Sequence, residues 1–304
     1  MEKFELHILG CGSALPTSRH YASSQVVNLR EKLFMIDCGE GAQIQLRRSK
    51  LNFSRIGHIF ISHIHGDHCF GLIGLISTFS LLGRTNTLHI HAPKELEAVL
   101  QLQLSTFCHG LEYQIEFHAI NTKIHTLIYE DRSVCVWSLP LNHRIPCCGF
   151  LFCESQTLPH IRRDNLDFYH IPNYAIKDIK EGADWKMPDG QIIPNEKLTI
   201  PAAPARKYAY CSDTSYHPKL IELIAGANLL FHEATFSETE KKRAAETFHS
   251  TARQAATIAR ESHVDRLVIG HYSSRYTDER ILLNEAKQIF PNTLLAEENL
   301  VIEV

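Results

Sequence analysis

In FISHIHGDHCFGL, residues 60–72, His63, His65, Asp67 and His68 fall within six positions, between two apolar runs. Imidazoles and carboxylates are the side chains that hold borderline divalent metal ions. His63 and His65 are two apart, so at a strand end they point to the same side, and Asp67 and His68 sit on the turn beyond. One ion would take the two imidazoles and keep an open position for water, and a second set of ligands from the same loop allows a neighbouring ion. Without metal, burying such a cluster would leave several polar groups in need of partners.

One loop cannot complete two coordination spheres, so further ligands must come from other elements. The candidates stand where apolar runs end: His143 in LPLNHRIPCCGF, Asp213 in YCSDTSYH and His271 in VIGHYSSRY. A carboxylate such as Asp213 can bridge two ions, which a neutral imidazole does not normally do. Taken singly, each of the three is open between ligand and structural residue. His89 and His91 in LHIHAP also alternate on a strand, but no carboxylate follows them and they read as ordinary residues.

The elements behind these loops are legible as two strand-rich halves. FELHILGCGSALP reads as a strand ending in glycines, SSQVVNL and KLFMID as arms of a meander, and HIFISH as a buried strand. Leu72, Ile73, Leu75, Ile76, Phe79 and Leu82 recur at helical spacing, with Gly83 at the helix end. PKELEAVLQLQLSTF is a second helix, with Pro93 suited to its first turn and Leu96, Val99 and Leu100 on one face. After residue 207 the strands KYAYCSD, ANLLFHEATF and RLVIGHYSS resume, separated by helices expected at 217–225 and in TARQAATIARES. Helices expected on both sheets make this a layered α/β sandwich.

Residues 154–207 differ from both halves. They hold six prolines and no clear amphipathic period, and their eight basic residues match eight acidic ones. The segment reads as an inserted arm or lid within a single domain spanning 1–304, and not as a second core. The chain of 304 residues is 44% hydrophobic with a formal net charge of −3, so it is globular and not a polycation, and a nucleic-acid partner would have to bind a local patch. Nine cysteines without a C-x-x-C pair read as reduced thiols. The start, MEKFELHILG, is acidic where a secretory signal would be basic, and no apolar run reaches membrane-span length. The expectation is a cytoplasmic protein with no membrane partner.

The contexts of these residues carry a resemblance. ILGCGSALPT, FMIDCGEGAQIQL, IFISHIHGDHCFGL, NHRIPCCGF, SDT, HEATF, HSTA and GHYSSRY span residues 8 to 276. H-x-H-x-D-H by itself resembles the metallo-β-lactamase fold superfamily, whereas DCGEGAQ, HEATF with a following HSTA, and HYSSRY resemble the ribonuclease Z family of tRNA 3′-processing endonucleases. The resemblance implies a four-layer αβ/βα sandwich with an inserted arm and two Zn2+ per chain. One ion would be held by His63, His65 and His143, the other by Asp67, His68 and His271, with Asp213 between them. It implies that Asp67 orients or deprotonates the attacking water, and that His249 protonates the leaving ribose oxygen with Glu233 fixing its ring. Arg275, helped by Ser273 and Ser274, would bind the scissile phosphate, since a guanidinium matches phosphate oxygens with parallel donors. Read without the resemblance, His249 is a polar residue at a helix N-terminus and Arg275 a surface ion-pair partner.

The implied substrate is precursor tRNA, cleaved to leave a 3′-hydroxyl, and the implied assembly is a homodimer in which one subunit's arm serves the other's site. Two features depart from the family. The arm lacks a glycine-rich tip and a positive balance, and PTSRHYASS keeps Arg19 but places His20 where the family has asparagine, so any preference concerning a CCA end does not carry over. Two readings compete. A relative hydrolysing a small phosphodiester, lactone or thioester would share the metals without needing His249, Glu233 or Arg275. A non-catalytic RNA-binding subunit would be expected to have lost ligands.

Overall fold

Alternation along KLFMIDC turns Phe34 and Ile36 to one face of a strand and Leu33 and Met35 to the other, and both faces are buried. A strand apolar on both faces must lie between layers. The structure, a computed structural model describing residues 2–304, builds the fold from that condition.

The first sheet contains β1 (Phe4–Gly10), β2 (Ser24–Leu29), β3 (Lys32–Cys38), β4 (Ile56–Phe60), β5 (Leu88–Pro93) and β6 (Ile115–Ile120). β7 (Leu127–Glu130), β8 (Val134–Pro140) and β9 (Cys148–Glu154) begin the second sheet. Four two-residue strands follow, β10 (His160–Ile161), β11 (Trp185–Lys186), β12 (Ile192–Ile193) and β13 (Thr199–Ile200). β14 (Lys207–Cys211), β15 (Leu229–Glu233), β16 (Arg266–Gly270) and β17 (Thr293–Leu295) complete the second sheet, and β18 (Val301–Glu303) returns to the edge of the first. The two large sheets run in the orders β18-β1-β2-β3-β4-β5-β6 and β17-β16-β15-β14-β9-β8-β7. β3 to β6 are mutually parallel, as are β14 to β17.

Between the sheets, Phe34, Phe60, Phe150, Phe152 and Tyr208 belong to one buried cluster. On the outer face of the first sheet, Leu46, Leu75, Ile76, Phe79 and Leu100 from helices Ala42–Ser49, Leu72–Leu81 and Glu95–Phe107 pack against Val26, Met35 and Ile59. Helix Ala252–Glu261 packs on β15 and β16, started by a Thr251–Gln254 capping box. The result is the four-layer sandwich. Replacing a fully buried ring such as Phe34 by alanine should cost about 3–5 kcal/mol.

Several local boundaries differ from the periodicity. Pro93 closes β5 and the helix begins at Glu95, because Pro93 lies beyond the last residue of β5 that pairs with β4, where its missing N–H breaks no ladder on that side. The helix expected over 217–225 shortens to Leu220–Leu223. Residues 154–205 form a separate small unit, whereas Arg206 belongs to the body and Lys207 opens β14. That unit does hold a small core of its own, in which Ile171, Ala175, Ile179, Ile193 and Leu198 are buried with Trp185 and Met187 against them. Its helices are six residues or fewer, too short to display an amphipathic period.

Candidate metal centre and active site

In parallel strands all the carboxyl ends point one way, so the loops after them meet at one rim. His63 and His65 follow β4, and a four-residue helix, Gly66–Cys69, then carries Asp67 and His68. His143 follows β8, Asp213 follows β14, Glu233 ends β15 and His271 follows β16. His249 precedes the capped helix Ala252–Glu261, after Phe248 turns the chain through a left-handed conformation. A cavity of about 1090 Å³ lies over this rim, with His65, Asp67, His143, Asp213, His249 and His271 in its wall.

The polar atoms converge in two groups. His65 Nδ1 lies 3.0 Å from His63 Nε2 and 3.3 Å from His143 Nε2, and Asp213 Oδ2 lies 3.6 Å and 3.8 Å from the same two Nε2 atoms. In the second group Asp67 Oδ2 is 3.3 Å from both His68 Nε2 and His271 Nε2, which lie 3.4 Å and 3.2 Å from Asp213 Oδ1. Asp213 thus presents one oxygen to each group.

These spacings test whether a metal fits. Bonds of about 2.0–2.1 Å to a tetrahedral ion place neighbouring ligand atoms about 3.3–3.4 Å apart, close to the separations here. His68 Nε2 and Asp213 Oδ1 are buried without a hydrogen-bond partner despite their proximity. The charges point the same way. Burial opposes ionisation of Asp67 and Asp213, yet His68 and His271 hold both carboxyls well below the usual carboxylate range. Burial pulls His63 well below the ordinary imidazole value and lowers His65 and His143. His68 is the exception: burial works against its charge, but Asp67, Asp213 and Asp37 outweigh that and raise it. Two buried carboxylates, one of them with an unpartnered oxygen facing the ligand groups, beside three imidazoles whose charge burial opposes, fit divalent cations.

The far nitrogens of the rings are held from behind. His63 Nδ1 meets Ser62 Oγ at 3.0 Å, His68 Nδ1 meets Asp37 Oδ2 at 2.7 Å, His143 Nδ1 meets the Phe248 carbonyl at 3.0 Å and His271 Nδ1 meets Thr235 Oγ1 at 2.9 Å. Such contacts set the tautomer and leave Nε2 to face the other ligand atoms, where a metal could be held. Asp37, Ser62 and Thr235 were not singled out by spacing. Asp37 had one signal, a carboxylate ending the apolar run FMID. It also accepts from Tyr210 Oη at 2.6 Å and from Ser62 N at 2.7 Å. Gly39 lies where an added Cβ would strike the Asp67 carbonyl, and Gly41, at φ +83°, precedes helix Ala42–Ser49, so the first serves close approach and the second a turn.

Glu233 and His249 form a second unit beside the cage. Glu233 is fully buried and accepts from His249 Nδ1 at 2.9 Å, Thr214 N at 3.1 Å, Ser250 N at 3.0 Å and Thr235 Oγ1 at 2.8 Å. Burial would lower the His249 imidazole, but the Glu233 carboxylate raises it to about 9. Ser273, Ser274 and Arg275 line the cavity, where Arg275 donates to Ser273 Oγ at 3.0 Å and pairs with Glu240. Arg144 and Arg243, which the motifs did not indicate, line it too. Arg19 is engaged by Glu279 at 2.7 Å, and His20 by Glu298 at 3.1 Å.

Comparison with known proteins places these observations. The family model described as Anti-Pycsar protein Apyc1 matches residues 4–146, stopping before Asp213, Glu233, His249 and His271. A ribonuclease Z of Bacteroides thetaiotaomicron is 66% identical over 304 residues, covering 100% of this chain and 96% of the relative. The short form of human tRNase Z is 26% identical with a TM-score of 0.72, over 99% of both chains. A metallo-beta-lactamase fold protein from Bacillus subtilis, 17% identical with a TM-score of 0.70 over 99% of this chain and 100% of that one, shares the fold. With that identity along its full length and that architecture, the chain belongs to the ribonuclease Z family on the metallo-β-lactamase fold.

Proposed function

We propose that this protein removes the 3′ trailer from precursor tRNA by hydrolysing one phosphodiester, leaving a 3′-hydroxyl on the tRNA, with two zinc ions per chain. The observation that carries the reading is Asp213, whose two oxygens serve two separate ligand groups, beside a buried Glu233–His249 pair. His63, His65 and His143 would hold one ion, Asp67, His68 and His271 the other, and Asp213 both. Ions so placed would lower the pKa of the attacking water and offset charge on the scissile phosphate.

The chain's own groups account for the rest. Asp67, 5% exposed and in the cavity wall, orients the water and takes its proton. As the phosphorus–oxygen bond to the tRNA 3′ oxygen breaks, that oxygen gains charge, and His249 protonates it. Glu233 holds the ring by Nδ1 and balances its charge. Arg275, with Ser273 and Ser274, grips a non-bridging phosphate oxygen, and Glu240 keeps the guanidinium aimed across the cavity until substrate arrives. Phe70 and Leu15, 71% and 65% exposed at the cavity, offer apolar surface to an unstacked base.

Residues 154–205 serve as the substrate arm, and a homodimer brings each arm to the partner's site. Phe168 and Tyr174, 74% and 79% exposed on that unit, support a docking role. Among the described residues no helix is long and apolar enough to cross a membrane, which suits the cytoplasmic location we assign. The test is cleavage of a precursor tRNA with a defined 3′ trailer, with both product ends mapped, beside a panel of small phosphodiesters, lactones and thioesters. Hydrolysis of a small substrate with the precursor left intact would overturn the reading.

A further inference from the structure

Outside the catalytic rim, the first sheet gathers a second set of histidines. Register places His58 opposite His89 and His89 opposite Glu116, and His91 opposite His118, so strands β4, β5 and β6 turn four imidazoles and one carboxylate to the same face. The rings are ordered by stacking: His58 on His89 at 4.6 Å and 13°, His91 on His118 at 4.6 Å and 15°. The inner pair, His58 Nδ1 and His91 Nε2, is closed on itself at 3.1 Å, with His91 Nδ1 buried and unpartnered. The outer pair differs, because a carboxylate joins it and water can reach it.

His89 Nδ1 lies 3.1 Å from His118 Nε2, and Glu116 Oε2 lies 3.3 Å from the first and 3.9 Å from the second. The mean of these three edges is about 3.4 Å, the edge of a tetrahedron with bonds of about 2.0–2.1 Å. We infer that His89, Glu116 and His118 form a third metal site, taking a borderline divalent ion such as Zn2+ with water as its fourth ligand. Two imidazoles and one carboxylate on three fixed positions of a sheet are the donor set such an ion selects. His58 and His91, stacked behind the two ligand rings, fix their planes. Glu116 and His118 are half exposed, so this ion is exchangeable where the catalytic pair is buried. It ties β5 to β6, the edge strand of its sheet, and carries no chemistry of the nuclease.

The experiment uses the full chain, stripped of metal and titrated with Zn2+, the metal alone being the probe. The wild type should bind one equivalent more than His118→Ala, the additional ion weaker than the rest and released on mild acidification. Glu116→Gln, which keeps the shape of an exposed side chain, should weaken that equivalent at least tenfold. Both variants should cleave precursor tRNA at the wild-type rate when loaded. With Co2+ as probe, the wild-type absorption minus that of His118→Ala should be a tetrahedral spectrum. Equal stoichiometry and affinity in the wild type and both variants would overturn the site. Because the readout is a difference between proteins sharing one catalytic rim, it stands or falls apart from the number of catalytic ions or the identity of the substrate.

Discussion

Asp37→Asn tests whether the metal cage is organised from behind. Asp37 is 0% exposed and receives four donors: Ser62 N at 2.7 Å on Oδ1, and Ser62 Oγ at 2.9 Å, His68 Nδ1 at 2.7 Å and Tyr210 Oη at 2.6 Å on Oδ2. Asparagine retains the shape but offers one acceptor and one NH2 group. Its better orientation puts the amide oxygen at the Oδ2 position and turns the NH2 toward the Ser62 amide, leaving two donors facing each other. At about 1–3 kcal/mol for each unmet buried group, the cost is about 2–6 kcal/mol. The reverse orientation sets the NH2 against three donors and is worse. The His68 bond also loses its charge, and losing such an outer contact typically costs about 10–100-fold in metal affinity. The assays are Tm in chelator, which reads the packing cost, and zinc affinity by competition, which reads the cage. We expect a lower Tm and at least tenfold weaker binding of one ion, with Tyr210→Phe much milder because the carboxylate keeps its other three donors. Wild-type zinc affinity in Asp37→Asn would refute the claim that His68 is held by this carboxylate.

The other predictions address chemistry, substrate and pH. His249→Ala should lower precursor tRNA cleavage by about 10²–10⁴-fold with little change in tRNA affinity or zinc content, measured by single-turnover kinetics and binding; lost zinc would make the residue structural. Cys153 and Lys207 are cross-strand partners, so a short glycine-containing turn can replace residues 155–205 and keep β9 paired with β14. That deletion should abolish tRNA processing while hydrolysis of a small phosphodiester survives. The removed unit is not basic, so the salt slope of residual tRNA binding should change only modestly; unchanged tRNA cleavage would end the arm's assigned role. The hydrogen bond to Glu298 raises the His20 pKa, and although burial opposes the charge of Glu298, that bond holds its carboxyl below the usual range. The raised imidazole stabilises fully below the unfolded histidine value and fades as pH rises through the folded one. The depressed carboxyl stabilises above the unfolded glutamate value and fades as pH falls. The pair is therefore strongest between about pH 4.3 and 6.5, and Tm of His20→Gln relative to wild type should recover as pH rises above that window.

How much of this was readable before folding depends on the distance along the chain over which each feature is set. His63, His65, Asp67 and His68 were legible because six positions of strand and turn dictate where they point. The strands around them were legible because the alternation in FELHILG and the continuous apolar run in KLFMIDC are properties of neighbours. The arm's small core was not, since helices of six residues or fewer leave no period and Ile171, Ile179, Ile193 and Leu198 meet only through tertiary contact. Asp37 looked like the end of a strand, and its grip on His68 exists only once β3 and β4 lie side by side. Arg275 had two readings in sequence, ion pair or phosphate ligand, and the fold makes it both a partner of Glu240 and a wall of the cavity.

Sequence alone therefore determined which chemistry was available, imidazoles and carboxylates at strand ends with a glycine turn beside them, and the acid–imidazole pair in HEATF and HSTA was legible only through the family resemblance. Tertiary structure decided which of 19 histidines converge. His89 and His118, dismissed or unremarked in sequence, come within 3.1 Å as diagonal neighbours, because β5 and β6 set His89 opposite Glu116 and His118 opposite His91 on one face. Asp213 faces both ligand groups because β4, β8, β14 and β16 deliver their loops to one rim. Residue type is inherited from the chain, but coincidence of distant residues is created by strand order, and no local pattern records it.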